Sequence, residues 1–370
     1  MASGEKGVTL FVCGDVMLGR GIDQILPSPS DPTLYEHYVG SAVDYVRLAE
    51  RAHGPIPSPC PFDYVWGDAL ADLSAAQLDA RIINLETSMT TSLRPEPKGI
   101  NYKMNPGNVA CIKAASVDCC VLANNHVLDW GVAGLCETLS TLEQEGIPVA
   151  GAGIDSAQAA TPASISLPGD RRVLVFGFGA ITSGIPHEWA ATESRPGVNL
   201  LPDLSRKTAS EVAQHIVALR RPGDLVVASI HWGSNWGYRI DNEQREFAHA
   251  LIDAGACDLL HGHSSHHARG IEIYRDRPII YGCGDFITDY EGIESYEQFR
   301  GDLSIAYLPR FEEDGALSEL VLRTYQMRKF RLQRASQADV AWLQSTLDRE
   351  STRFGTHIAL KDGDLVAASR

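Results

Sequence analysis

The sequence feature that most constrains the fold is a regular alternation of short apolar strands with helices. The strand patterns are VTLFVCGD, ARIINLETS, CCVLANNH, RRVLVFGFGA, DLVVASIHWG, DLLHGH and RPIIYGCGDF. Helical patterns such as VAGLCETLSTLEQEG and NEQREFAHALIDAGA lie between them. Strands that alternate with helices predict an α/β protein with mixed or largely parallel sheets.

Most of these strands end in polar residues. In open α/β sheets, ligands bind beyond the carboxyl ends of the strands, so we expect these side chains to converge on one site. The residues at the strand ends are Asp15, Glu86, Asn125, His126, His231, His263 and Asp285.

The residue types at these ends indicate a metal site. Carboxylate, amide oxygen and imidazole suit divalent ions, which polarise an oxygen and lower the pKa of bound water to about 7. The stretch DLLHGHSSHHARG holds four of the twelve histidines. Its spacing lets one loop supply His263 and His266 to a metal, with His261 or His267 behind them.

Several blocks occur in the order found in the poly-γ-glutamate capsule-synthesis (CapA-like) family. They are GDVMLGRG, NLETS, ANNHVLDWG, HWG and GHSSHH, followed by GIEIY and IIYGCGDFI. The chain resembles this family over roughly four-fifths of its length, and the family resembles the calcineurin-like metallophosphoesterases. The resemblance implies a four-layer α/β/β/α sandwich with a metal site at one edge. It implies one or two divalent ions of Mn, Zn, Fe or Mg.

The resemblance also implies a role for each strand-end residue. Asp15 corresponds to the first metal ligand and Glu86 stands where the superfamily has a bridging Asp. Asn125 corresponds to the amide ligand, and His126 to the imidazole that protonates the leaving group. The remaining ligands implied are His231 and His263 for one metal and His266 for the other.

The sequence departs from the superfamily pattern at three places. The usual Asp-x-His motif has Met17 at its third position, and a thioether is a poor ligand for Mg²⁺, Mn²⁺ or Zn²⁺. Glu86 has a longer side chain than the Asp it replaces. Two serines, Ser264 and Ser265, separate His263 from His266 where the superfamily has one residue. These departures raise the question of whether both metal positions are complete.

Composition narrows the class of protein. A formal net charge of −15 argues against a binder of nucleic acid or of anionic membranes. The eight cysteines include no C-x-x-C pair and read as reduced interior residues. The N-terminal MASGEKGVTLFVCGD reads as the approach to a strand rather than as a signal peptide. We therefore predict a cytoplasmic protein that does not bind membranes.

The chain is predicted to form one main domain over residues 1–310. A stretch rich in Pro, Ser and Gly, at about residues 27–62, reads as an irregular insertion with a short helix. The segment 311–370 is predicted to be a strand–helix–hairpin extension packed on that domain. Its helix begins after Ser336, and its hairpin turns at Asp362-Gly363.

Simpler interpretations exist for single residues. Asp15 alternatively caps a helix that begins at Val16, since Asp is a favoured N-cap residue. Asn125 and His126 are alternatively turn residues. His231 is alternatively a core histidine bonded to a backbone carbonyl, and the histidine run a solvated loop. Such interpretations at five successive strand ends are together a poorer explanation than one metal-centred site.

Three basic residues and one acidic residue are predicted to contact a substrate. Arg20, Lys103 and Arg239 could bind a carboxylate or a phosphate, although a surface ion pair explains Arg20 equally well. Asp285, with the nearby Asp289 and Glu291, could hold an amine or form a solvated loop mouth.

These features predict a metal-dependent hydrolase or acyl- or phosphoryl-transfer enzyme. A metal-bound hydroxide would attack a carbonyl or phosphoryl centre, and His126 would act as general acid, with Asp15 also in the catalytic centre. The predicted substrate is a small molecule or peptide that is carboxylated, with a γ-glutamyl or amide-like group, or phosphorylated. The alternative is an accessory protein of polyglutamate or peptide assembly that binds a carboxylated chain without turnover.

Overall fold

The computed structural model describes residues 7–293 and 296–369 of a mixed α/β protein, so the interpretation of residues 1–6 lies outside it. Several long helices begin where a side chain accepts a backbone amide, as Ser205 and Ser336 do. The described helices are α1 Arg20–Ile25, α2 Val43–His53, α3 Asp68–Ala75, α4 Ala110–Ala114, α5 Gly131–Gln144, α6 Ser156–Ala160, α7 Arg206–Leu219, α8 Asn242–Asp253 and α9 Gln337–Ser351.

The strands carry near-continuous apolar runs, as expected where a sheet is covered on both faces. The described strands are β1 Val8–Val16, β2 Ala80–Leu85, β3 Ser88–Met89, β4 Lys103–Met104, β5 Cys119–Val121, β6 Val149–Ala150, β7 Ala152–Gly153, β8 Ala163–Ser166, β9 Arg172–Ala180, β10 Gly197–Val198, β11 Leu200–Leu201, β12 Leu225–His231, β13 Leu259–His263, β14 Ile271–Tyr274, β15 Arg277–Ile280, β16 Asp285–Ile287, β17 Leu303–Phe311, β18 Leu317–Arg328, β19 Arg331–Arg334, β20 Thr356–Lys361 and β21 Asp364–Ser369.

Two large sheets form the centre of the molecule. The first has the order β20-β21-β18-β17-β1-β2-β5-β6, with β16 beside β1 and β19 beside β18. The second has the order β11-β9-β12-β13-β15-β14, with β8 beside β9. Strands β1, β2, β5 and β16 run parallel in the first sheet, as β9, β12, β13 and β15 do in the second. The carboxyl ends of each parallel group therefore lie along one edge of its sheet.

Alternate residues of β1 show how the layers pack. Leu10 and Val12 lie in a core shared with β12 and β13, which is the layer between the two sheets. Phe11 and Cys13 point the other way, into a core shared with α1, α3 and α5. A third core joins the outer face of the second sheet to α7 and α8. The predicted four-layer α/β/β/α sandwich is confirmed.

The C-terminal segment extends the first sheet. Strand β18 pairs with β17 along most of its length, and β21 pairs with β18. Helix α9 buries Val340, Leu343 and Leu347 in the core between the sheets. The boundary at residue 310 stays a prediction. Within the described ranges, no helix combines the length and the apolar character that crossing a membrane requires.

The structure corrects one predicted strand. The run RPIIYGCGDF was read as a single strand, but it forms β15 in the second sheet and β16 in the first. Between them the chain bends at Gly284, whose φ is +77°. A Cβ placed on Gly14 would lie 1.4 Å from the Gly284 carbonyl oxygen, so the two backbones touch. This crossing brings Asp285 into register with Asp15.

Residues 63–79, whose apolar spacing favours a single helix, form two separate elements. A single 3₁₀ turn, Tyr64–Trp66, precedes α3, and Gly67 separates the two. Gly67 has a φ of 49°, and a Cβ there would lie 2.0 Å from the Leu332 carbonyl oxygen. The close packing of Gly67 on β19 therefore interrupts the helix.

Candidate metal centre

The carboxyl ends of strands from both sheets meet at one buried site. Asp15 lies in register with Asn84 of β2 and with Asp285 of β16. His231 ends β12 beside His263, which ends β13. The first sheet thus supplies carboxylates and the second supplies imidazoles.

The interpretation of Asp15 as a helix cap is wrong. Asp15 lies within β1, and α1 begins only at Arg20, behind Gly19. The ring nitrogens of His231 face side chains rather than the backbone carbonyl that a structural core histidine would contact.

Two imidazoles and one carboxylate converge closely. His231 Nδ1 lies 2.8 Å from His263 Nδ1. Asp15 Oδ1 lies 3.9 Å from the first nitrogen and 3.8 Å from the second. All three side chains are fully buried. The protonation of the two facing nitrogens therefore decides whether they bond to each other or can both bind a cation.

A chain of hydrogen bonds fixes the tautomer of His263. His261 Nε2 lies 2.7 Å from the Cys13 carbonyl oxygen, which can only accept, so His261 Nδ1 carries no proton. The Ser229 hydroxyl donates to that nitrogen over 3.0 Å, and its oxygen lies 2.9 Å from His263 Nε2. Because the hydroxyl oxygen accepts from His263 Nε2, the Nδ1 of His263 is left bare. Burial lowers the pKa of His261 to about 4, which keeps this ring neutral at pH 7.

His231 presents a bare nitrogen in the same way. Asn125 Oδ1 lies 3.1 Å from His231 Nε2, and an amide oxygen accepts, so the proton of His231 is on Nε2. Burial holds the pKa of His231 and that of His263 well below the usual value. Two bare nitrogens 2.8 Å apart repel each other, whereas a cation that both nitrogens coordinate would remove this repulsion. The donor set of this site therefore fits a divalent metal ion.

Three carboxylates form the other half of the site. Asp15, Glu86 and Asp285 each place an oxygen within 4.8 Å of the others, and all three are buried. Burial and the neighbouring Asp285 raise the pKa of Asp15 to about 7, although Asn84 donates to it over 2.6 Å. Burial, followed by the charge of Asp15, raises the pKa of Glu86. Carboxylates this close either retain a proton or are neutralised by a cation.

His126 lies beside this cluster and is held by a buried acid. Its Nδ1 lies 2.7 Å from Asp129 Oδ2, and Asp129 also accepts from Lys98 Nζ over 2.7 Å. The ring stacks on Tyr102 at 3.8 Å, and Nε2 lies 4.0 Å from Glu86 Oε1. Burial lowers the pKa of His126 to about 4. At pH 7 the ring is therefore neutral, with its proton on Nδ1 and a bare Nε2 beside Glu86.

The last two histidines of the run lie at the rim of the site. His266 Nδ1 lies 3.1 Å from both oxygens of Asp285, and its Nε2 lies 3.0 Å from Asn235 Nδ2. His267 Nε2 accepts the Gly237 amide over 3.1 Å. His266 thus joins the site through Asp285, whereas His267 holds the loop after β12.

Arg20, a predicted substrate contact, is buried and fully paired. Its guanidinium donates to Asp289 over 2.5 Å and to Glu36 over 2.9 Å. It also lies over the ring of Tyr45, 4.0 Å from the centroid. Its guanidinium is thus neutralised by two buried carboxylates of the protein itself rather than left free for a substrate.

The other two predicted basic contacts lie apart from the metal ligands. Lys103 is buried, with Nζ 3.9 Å from the centroid of Trp130, and burial lowers its pKa. It lines a small cavity together with Arg20 and Asn101. Arg239 is exposed and forms an ion pair with Asp241 at 3.0 Å.

Three residues that the sequence reasoning did not single out contribute to the site. Asp129 holds His126, Ser229 sets the tautomer of His263, and Asn84 orients Asp15. Ser229 is two residues before His231 on a strand, so the two side chains share a face. Asp129 follows His126 by three residues in ANNHVLDWG. Those spacings were the available signals.

The comparisons with known proteins identify the family of the chain. A family model described as bacterial capsule synthesis protein PGA_cap matches residues 9–290. A probable polyglutamine synthesis accessory protein of Mycobacterium tuberculosis is 46% identical over 369 residues, covering 99% of this chain and 97% of that protein. The PGA biosynthesis protein CapA of Bacillus subtilis is 26% identical, covering 75% of this chain and 62% of that protein.

One solved structure shows a more distant likeness. The 5'-nucleotidase precursor from Thermus thermophilus aligns with a TM-score of 0.44 and 14% identity, covering 92% of this chain and 59% of that chain. A likeness of this degree supports no conclusion about this protein. The family match and the 46% identical relative do, since each covers most of the chain. The chain belongs to the bacterial capsule synthesis protein (PGA_cap) family.

Proposed function

We propose that the protein is a metal-dependent hydrolase or acyl- or phosphoryl-transfer enzyme. The observation that carries this proposal is the pair of bare imidazole nitrogens, 2.8 Å apart, with Asp15 Oδ1 within 3.9 Å of both. The proposed ligands are Asp15, Glu86, Asn125, His231 and His263, with His266 joined to the site through Asp285. When bound, a divalent ion would lower the pKa of water to about 7 and polarise the oxygen of a carbonyl or phosphoryl group.

The chain's own contribution to the chemistry is proton transfer by His126. Its neutral ring offers Nε2 as an acceptor for a proton from the attacking water. The Asp129 carboxylate stabilises the imidazolium that results and keeps the proton of Nδ1 in place. His126 then donates the Nε2 proton to the leaving group, which is the general-acid role assigned to it from the sequence.

We propose a substrate with an anionic group, either a γ-glutamyl or amide-like carboxylate or a phosphate. The printed names of the relatives, which refer to polyglutamine synthesis and to PGA biosynthesis, support a carboxylated chain. Lys98, beside His126 at the rim of the site, and the buried Lys103 are the cations that we propose to bind it. We place the reaction in the cytoplasm, which the eight free cysteines support.

The test compares metal-stripped protein with protein reloaded with Mn²⁺, using γ-glutamyl amides and phosphate monoesters as substrates. We expect turnover of one substrate class only in the reloaded protein. Glu86→Gln should abolish it, and Glu350→Gln, a buried glutamate in contact with Arg349, serves as the matched control. No turnover by fully loaded wild type, or equal turnover by the Glu86 variant, would contradict the proposal.

A second candidate function is an accessory role in polyglutamate or peptide assembly, in which the site binds a carboxylated chain without turnover. The name of the 46% identical relative, an accessory protein, favours it. The two functions differ in what His126 does. Under the accessory function, His126→Ala should leave binding of a γ-glutamyl peptide and every cellular phenotype unchanged.

A further inference from the structure

We propose that Asp285 is a metal ligand that completes the carboxylate half of the site, and that His266 holds Asp285 in place. This inference rests on the proposed function, because it concerns the same metal centre. It names a ligand where position 17, two residues after Asp15, offers only a buried thioether.

The backbone delivers Asp285 to the site. The chain leaves the second sheet after β15 and bends at Gly284, and β16 then pairs in parallel with β1, so that Asp285 is in register with Asp15. The amide of Asp15 donates to the Gly284 carbonyl over 3.2 Å. The two carboxylates are therefore neighbours on adjacent parallel strands, in a sheet buried on both faces.

The surroundings of Glu86 favour a cation in this half of the site. It is only 2% exposed, yet in the described part of the chain no donor forms a hydrogen bond with its carboxylate. The nearest imidazole nitrogens lie 3.8 Å away in His231 and 4.0 Å away in His126. Burying an unpaired carboxylate is costly, and a cation coordinated jointly with Asp15 and Asp285 removes that cost.

The hydrogen bonds of His266 explain why it acts through Asp285. Asn235 Nδ2 donates to His266 Nε2, so Nδ1 is the nitrogen that carries a proton for Asp285. That proton faces both oxygens of Asp285 at 3.1 Å. Both ring nitrogens are therefore occupied, and His266 is a positioning residue that orients a ligating carboxylate.

The two halves of the centre then differ in chemistry. His231 and His263 make one half rich in nitrogen, whereas Asp15, Glu86 and Asp285 make the other rich in oxygen. Oxygen ligands suit hard ions such as Mg²⁺ and Mn²⁺. The carboxylate half is therefore assigned to a hard divalent ion.

The test counts Mn²⁺ per chain in the full-length protein after loading and desalting. Wild type should hold two ions and Asp285→Asn one. His266→Gln should hold two, with the second bound about 10- to 100-fold more weakly. Asp258→Asn is the matched control, because Asp258 is buried at the opposite end of β13, beside Arg220 and Arg277. It should hold two ions.

Two ions in Asp285→Asn, or one ion in wild type, would overturn the inference. If Asp285→Asn does not fold by circular dichroism, titration of Mn²⁺ into His266→Gln decides, and unchanged affinity for the second ion overturns it. The proposed function fails separately. Metal-dependent turnover together with two ions in Asp285→Asn would refute the role of Asp285 alone, and loss of an ion from a protein without turnover would refute the enzyme alone.

Discussion

Two buried polar clusters lie against the ring of Tyr102, and they differ in whether they are complete. Arg20 Cζ lies 4.6 Å from the centroid of Tyr102, and the His126 ring stacks on it at 3.8 Å. In the Arg20 cluster each carboxylate has donors, since Asp289 accepts from Arg20 and from the Gly21 amide. Glu36 accepts from Arg20 and from the Tyr45 hydroxyl.

The metal centre is as deeply buried but lacks such compensation. Glu86 has no hydrogen-bond donor among the described residues, and the two imidazoles face each other with bare nitrogens. A buried cluster whose charges are paired is electrostatically complete, whereas an unpaired cluster of carboxylates and neutral imidazoles favours the binding of a cation. The comparison teaches that charge pairing, rather than burial or residue type, separates the structural cluster from the candidate functional one.

The largest effect that this comparison predicts is on turnover. His126→Ala should lower kcat by about 10²- to 10⁴-fold, because it removes the proton carrier and no ligand. Metal content, measured by elemental analysis, should stay at the wild-type level. His249→Ala, which removes a half-buried histidine that stacks on Tyr274, is the control. Loss of metal from the His126 variant would place His126 among the ligands.

A substitution in the Arg20 cluster should lower the stability of the fold rather than turnover. Arg20→Met leaves Asp289 and Glu36 without their shared partner, and we expect a loss of about 3–5 kcal/mol in the free energy of unfolding. Urea unfolding measures this loss, and metal content should not change. A variant of wild-type stability with a raised KM would show that Arg20 binds substrate, as the sequence suggested, and would erase the contrast between the clusters.

The hydrogen-bond chain behind His263 should have a smaller effect, on metal affinity. Ser229→Ala frees His263 to adopt the other tautomer, and metal affinity should fall about 10- to 100-fold. Ser351→Ala is the matched control, since Ser351 is equally buried and accepts the Ile271 amide far along the sandwich. Equal affinities in the two variants would mean that Ser229 does not set the tautomer.

The smallest effect is expected at the surface. Arg239→Ala removes an exposed ion pair with Asp241, and the free energy of unfolding should change by no more than about 0.5 kcal/mol. Metal content should also be unchanged. A KM for the anionic substrate that rises severalfold would instead support the substrate contact predicted from the sequence.

Much of the architecture followed from local patterns. The apolar runs of β1, β12 and β13 and the capped helices α8 and α9 are visible in the sequence, because burial and capping leave regular signatures. Helix α7 was missed. The passage of the chain from β15 in the second sheet to β16 in the first was also missed. It depends on long-range packing between the two sheets, which a short stretch of sequence does not reveal.

The candidate site shows the same division. The polar residues at the strand ends could be predicted to lie close together, since the carboxyl ends of parallel strands share one edge of a sheet. The contacts between individual side chains could not be predicted from the sequence. Asp285 was assigned to substrate binding because its register with Asp15 depends on the bend at Gly284. Arg20 was predicted as a substrate contact because its buried partners could not be foreseen. Asp289 lies far from Arg20 in the sequence, and Glu36 lies in an irregular segment.

The measurement that tests the central claim most directly is elemental analysis of the purified, untagged wild-type protein, with metal counted per chain. The unpaired carboxylates and the facing imidazole nitrogens predict two divalent ions per chain, retained through desalting. A chain that holds no ion, even after incubation with Mn²⁺, Zn²⁺ and Fe²⁺, would contradict the metal centre.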